Sequence, residues 1–193
     1  MPSETFYDRY EKLYVSLRKI IQESEKRCLE SEPDKLFSDN VNFYVKSYMI
    51  SICTYLEAYL QDIAYWHSDE INSRLRKSCI PHNFIYWKLV KETKDKELKF
   101  EDANLPVTKS DISDKLSANP YKTIKMFSLL GVDLCKSKEF QENKELVGFV
   151  VAKRNNIIHH NDKAMDVSFS DLLSYIDAFL RYMKSIDVAV NKE

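Results

Sequence analysis

At 193 residues the chain has room for one domain with a real core, or one domain carrying an insertion. Apolar content of 44% and aromatic content of 12% exclude disorder over most of that length. The 29 basic side chains meet 30 acidic ones, so a globally basic nucleic-acid binder is excluded; an RNA partner would have to be held by a local patch.

Two glycines, Gly131 and Gly148, and five prolines are too few for a sheet protein with many tight turns, which predicts an all-α fold. In chain order, Phe6, Tyr10, Leu13, Tyr14, Leu17, Ile20, Ile21 and Cys28 recur at steps of three and four and mark one face of a first helix. Ser3 is the expected N-cap, with Glu4 in the first turn, and Pro33 ends the helix. A second long helix is expected over 39–67, striped by Met49, Ile50, Cys53, Leu56, Leu60, Ile63 and Ala64. Glu57 interrupts that stripe on its core side. Ile71 and Leu75 suggest a continuation, and Phe84 to Val90 a short helix after Pro81. Residues 91–119, charged and broken by Pro106, read as a surface insertion. Asn119 and Pro120 start another short helix that stops at Gly131. Further helices are expected over 143–160 and from Ser168 or Ser170 onward, the last with Leu172, Leu173, Ile176, Phe179, Leu180 and Met183 on one side.

The amino terminus has no basic stretch followed by an apolar run, and no run of about 18 apolar residues occurs, so neither a secretory signal nor a membrane span is expected. Cys28, Cys53, Cys79 and Cys135 form no CxxC pair and read as small core residues of a reducing, cytoplasmic compartment. No glycine-rich phosphate or dinucleotide fingerprint exists, and no cofactor or metal is expected.

The segment with chemical interest runs from Phe149 to Asp162. Val147, Val151, Ile158 and Arg154 share one helical face, with Val150 and Ile157 adjoining, so an arginine stands where an apolar residue is demanded. Glu57 breaks the other long stripe in the same way, and the two are expected to face each other across the interior. His159 lies five residues on, roughly 140° around a regular helix from Arg154, so the two share a small ligand within one chain only through a helix end or kink. Two-fold pairing is the alternative, bringing His159 of two chains to one groove.

Arg154-Asn155-Asn156-Ile157-Ile158-His159 resembles the Rx4-6H motif of the HEPN superfamily, and the helix around Tyr55-Leu56-Glu57-Ala58-Tyr59-Leu60 resembles helices of its RiboL-PSP and MAE-type groups. The resemblance covers the long helices and implies a single HEPN-like domain over 1–193, a bundle of four to five main helices, with 68–135 as a family-divergent polar insertion before the motif helix. It further implies metal-independent endoribonuclease activity, by 2′-hydroxyl attack that leaves a cyclic phosphate, in a toxin–antitoxin or antiviral-defence setting. By position, His159 is the acid–base residue, Arg154 the phosphate or scaffold residue and Asn155 a supporting polar group. His160 also meets the permitted spacing and stays open as replacement or assistant. The implied partners are RNA, a second copy of the chain with the site at the subunit interface, and an antitoxin or other regulatory protein.

Other readings compete. Arg154 and Glu57 can be a structural pair only, and the two histidines a favourable helix C-terminus. The chain can be a non-catalytic HEPN module binding RNA, nucleotide or a protein, or a plain helical dimerisation domain. His67 and Glu70, with Asp62 nearby, are a weak metal-ligand set. Phe84, Tyr86 and Trp87 have the chemistry to stack on bases, though aromatics on a short helix more often belong to a core or interface. Residues 91–102 read as a solvated surface whose lysines can also reach an RNA backbone.

Overall fold

Helix α1, Phe6–Leu29, begins where Thr5 and Asp8 cap each other: the Thr5 hydroxyl accepts from the Asp8 amide and the Asp8 carboxylate from the Thr5 amide, both at 3.1 Å. Thr5 thus takes the capping place expected of Ser3, which lies outside the described residues. The computed structural model describes residues 4–89, 98–160 and 164–191. The buried face of α1 is Tyr10, Tyr14, Leu17, Ile21 and Ser24, a strict alternation of four- and three-residue steps. Leu13 and Ile20, expected on that stripe, are exposed; a seam this narrow covers one neighbouring groove and no more.

After a single turn of helix, α2 (Lys35–Ser38), the chain enters α3, Val41–Lys77, which extends ten residues past the expected end at His67 and takes in Ile71 and Leu75. Its buried residues run from Val45 to Asn72 and lie on more than one side, because α3 packs against α1, α7 and α8 at once. Two tyrosine hydroxyls clip it in place. Tyr14 of α1 donates to the Ile52 carbonyl at 2.6 Å, and Tyr59 donates to the Met183 carbonyl at 3.0 Å; both rings are fully buried. Each ring buries apolar area worth about 1.5–3 kcal/mol and still satisfies its oxygen.

Helix α4 is His82–Leu89, α5 is Lys109–Ser113, and α6 is Pro120–Leu129 behind the Asn119 cap, ending before Gly131 at φ +84°. Residues 91–97, part of the expected insertion, lie outside the described residues. The following stretch is not merely a surface: Ala103, Ile112, Leu116 and Ala118 are buried, since short apolar insertions between charges suffice to anchor it on the bundle. Helix α7 spans Lys138–His160, beginning five residues before the expected 143, and α8 spans Phe169–Val190 behind a Ser168–Asp171 capping box.

The four long helices α1, α3, α7 and α8 form an antiparallel-neighbour bundle. Tyr10 meets Asp62 while Ser24 meets Tyr48; Glu57 meets Arg154 while Asn42 meets Ala164; Asn143 meets Arg181 while Lys153 meets Asp166. Among the described residues there is no β-strand, only an isolated bridge between Pro81 and Asp102, and no helix long and apolar enough to cross a membrane. All four cysteines are free; Cys53 is buried and Cys28 half-buried, but Cys79 and Cys135 are exposed, because they sit at chain turns outside the bundle and not on a helical stripe.

Candidate functional site

On α7 the buried positions Asn143, Val147, Val150 and Ile157 continue the four–three spacing of a bundle seam, and the missing seat between Val150 and Ile157 is position 154. Arg154 occupies it. Its side chain keeps 16% of its exposure, and Nη2 donates to Glu57 Oε2 at 3.0 Å; Glu57 keeps 32%. The expected pairing across the interior is therefore present, with about a third of the Glu57 side chain open to solvent. Arg154 Nε is buried without an acceptor among the described residues, which costs about 1–3 kcal/mol.

One helical turn before Glu57, Cys53 lies by the same guanidinium. Burial pushes its thiol up to about 11, and the Arg154 charge opposes that rise. Cys53 was legible only as a core residue; its spacing of four from Glu57 is the signal that places it beside whatever Glu57 meets. The expected apolar face needs one correction. Ile157 is buried and Ile158 is exposed, since the seam step after Arg154 is three and not four.

Helix α7 stays α-helical through His160, so no kink brings His159 round to Arg154. The two are separated by roughly 140° and about 7.5 Å along the axis. His159 and His160 are both exposed in the last turn, Asn155 is half-buried, and no described residue hydrogen-bonds either imidazole. Within one chain, then, Arg154 and Glu57 form an interior pair, and the histidines form a separate outward-facing terminus. Asn161 and Asp162 fall outside the described residues.

Two contacts that no spacing announced secure this end of α7. Asn42, at the start of α3, accepts from the Ala164 amide at 2.9 Å, and Lys153 pairs with Asp166, holding that carboxyl below its ordinary range. They anchor the chain immediately beyond the histidines. On the outer side of α7, Leu146, Phe149, Lys153, Asn156 and His160 follow three- and four-residue steps along one face. Phe149 is 55% exposed and borders a groove of about 280 Å³ with Tyr121 and Gly148.

The metal-ligand reading of Asp62, His67 and Glu70 on α3 is not met, since Asp62 and His67 turn to separate partners. Asp62 accepts from Arg9 at 2.7 Å and from the Tyr10 hydroxyl at 2.8 Å, while buried His67 donates through Nε2 to the Leu130 carbonyl at 3.3 Å, latching α3 to the end of α6. Among the described residues, no three His, Cys, Asp or Glu side chains are grouped to hold a metal ion. Phe84 and Trp87 are not in the core: α4 has no buried residue at all.

No curated protein and no solved structure matches the chain. The family model described as RiboL-PSP-HEPN matches residues 7–192, from the first turn of α1 to the end of α8, and so takes in all four long helices together with the Arg154–Glu57 pair. By that match the chain belongs to the RiboL-PSP-HEPN family of the HEPN superfamily.

Proposed function

We propose that the protein is an endoribonuclease whose cutting group is the exposed imidazole of His159, with His160 as replacement or assistant, at a groove formed by two copies of the chain. The observation that carries this reading is the guanidinium seated in the hydrophobic seam and paired with Glu57, ahead of two outward imidazoles at the end of the same helix. The nucleophile is supplied by the substrate, so the reaction needs no metal-bound water. An imidazole takes the proton of a ribose 2′-hydroxyl as that oxygen bonds to the adjacent phosphorus. The bond from phosphorus to the 5′-oxygen breaks, and that oxygen leaves with a proton from the second imidazole, giving a cyclic phosphate and a 5′-hydroxyl. Histidine is the residue type suited to both transfers near neutral pH. Arg154 acts from inside as the residue that fixes α7, and Asn155 as a polar neighbour on the histidine side. The exposed Leu146 and Phe149 support pairing of two motif helices, which would offset the separation of Arg154 and His159 within one chain. A toxin or antiviral-defence role, with a partner protein that restrains cleavage, follows from the family resemblance.

Incubating the pure protein with mixed RNA in EDTA tests this. Fragments ending in cyclic phosphate are expected, with a loss of about 100-fold or more in His159→Ala, as for removal of a general acid–base group; an unchanged rate in both His159→Ala and His160→Ala ends the proposal. The competing reading is a non-catalytic module that binds RNA, nucleotide or protein. It is favoured by one observation, that neither imidazole is oriented by a hydrogen bond from a described residue. RNA retained but never cut would establish it.

A further inference from the structure

Residues 73–89 carry Arg74, Arg76, Lys77 and Lys88 and no acid, in a chain whose overall charge is −1. All four are exposed, and Arg74, Arg76 and Lys77 make no ion pair with a described residue. Three of them end α3, where cations complement the helix dipole. That accounts for their sign but not for what adjoins them. Helix α4 has no fully buried residue and presents Phe84 and Trp87, 54% and 59% exposed, packed edge to face at 6.1 Å; the Lys88 ammonium lies 4.4 Å from the centre of the Trp87 ring. Phe100 is 96% exposed on the segment that docks on the start of α4.

The corner is built and not frayed. His82 donates its amide to the Glu101 carbonyl at 2.9 Å, Ala103 to Ile80 at 2.8 Å, and Lys99 to the Asn83 side chain at 2.8 Å. Buried Asn72 accepts from the Leu105 amide at 2.8 Å and donates to Asn104 at 3.0 Å. Between α3 and this segment opens a cleft of about 680 Å³ lined by Ser73, Arg76, Lys77, Asp102 and Asn104, where two cations face one carboxylate.

We infer that the α3–α4 corner is a second RNA-contact surface, taking unpaired single-stranded RNA with its phosphates along Arg76 and Lys77 and its bases stacked on Trp87 and Phe84. The inference rests on the reading of RNA as substrate. Exposed cations at the end of α3, followed after four residues by exposed rings on α4, are what a flexible strand needs: a ring face accepts any base, and each neutralised phosphate releases counterions. Arginine and aromatic rings also serve protein interfaces, but interface centres are depleted in lysine, and here Lys88 lies on the Trp87 ring itself, which favours a nucleic-acid strand. Because α3 and α7 run antiparallel, the corner lies at the opposite end of the bundle from the histidines, so it would hold a strand and set which distant part of it reaches them.

The test uses the full chain and a fluorescein-labelled 2′-O-methyl oligouridine 12-mer, which lacks the attacking hydroxyl and reports binding alone. Arg76→Glu/Lys77→Glu and, separately, Trp87→Ala are expected to weaken binding by about fivefold or more each, the double variant also flattening the salt dependence. Both change exposed side chains, and unchanged circular dichroism checks their folding. Wild-type affinity in both variants overturns the inference even if the protein cuts RNA; the nuclease reading would then stand alone. Weakened binding in both variants of a protein that never cuts RNA upholds the surface and removes the nuclease. Failure of the wild type to bind the 12-mer, or a variant that dissociates a dimer without changing oligonucleotide binding, overturns the inference.

Discussion

Arg154 and Glu57 show how one ion pair can be required without being strongly stabilising. A fully buried pair that loses one partner costs about 3–5 kcal/mol. Here Glu57 is about one-third exposed and Arg154 Nε has no acceptor among the described residues, so screening and an orphaned donor reduce the figure. Glu57→Gln is expected to lower stability by about 1–3 kcal/mol in urea unfolding. Arg154→Met should cost less than Arg154→Ala because it refills the seam. A double-mutant cycle with no coupling between positions 57 and 154 would contradict the pairing. Burial also has a pH signature. The Tyr7 hydroxyl is pushed up to about 12 by burial and its bond to Glu11, Tyr10 to about 12 by burial and Asp62, and the Cys53 thiol to about 11. These groups keep their protons in the folded chain after the unfolded chain has lost them, from ordinary values of 9.0 for the thiol and 10.0 for the phenols. Their contribution is complete at neutral pH and is withdrawn as pH climbs from about 9 through 12. Urea midpoints measured across that range should fall steadily; a flat profile would mean the three groups are not shielded as described.

Among the elements, α8 shows how a helix is specified at its start. Ser168 and Asp171 exchange amide-to-side-chain bonds at 2.8 and 3.1 Å, and the Asp171 carboxyl is held low by the hydrogen bonds it accepts from the Ser168 hydroxyl and the Ser168 amide. Ser168→Ala removes an acceptor for an otherwise orphaned amide and is expected to cost about 1 kcal/mol, read as a drop in the thermal midpoint of a few degrees. Asn119 is readable as a cap because a polar residue precedes an apolar period directly, whereas the sequence narrows the start of α8 only to Ser168 or Ser170, and the structure selects Ser168. The starts of α1 and α7 were displaced for the converse reason. Ser3 and Thr5 are both competent caps, and the first turn of α7, Lys138 to Glu142, holds only Phe140 to signal helix. The true length of α3 was hidden by its polar last turns, where Asn72 is buried by hydrogen bonds to the 104–105 backbone and side chain and not by apolar contact.

For the whole molecule, α3 is the axis, and what packs against it decides which faces remain for function. The outer face of α7 is left open, with Leu146 and Phe149 partly exposed on the face that reaches His160 three turns or more further on. If two copies meet there, Phe149→Glu leaves the monomer folded, since the ring is not in the core, yet converts a dimer to a monomer in sedimentation velocity and abolishes cutting. A wild-type protein that is monomeric at all concentrations while still cutting RNA would rule out the two-copy site.

Helical class, the order of the long helices and the misfit of Arg154 and Glu57 were all determined by residue order, because apolar period and charge placement are local properties of a chain. That the two misfits face each other was expected from those local properties; tertiary structure alone decided that Cys53 joins them and that Asn42 pins the chain beyond the histidines. It also decided that Phe84 and Trp87 stand outside the core. Each of these depends on which helices become neighbours, and that is set by the summed packing of all the seams, a quantity no single stretch of sequence contains.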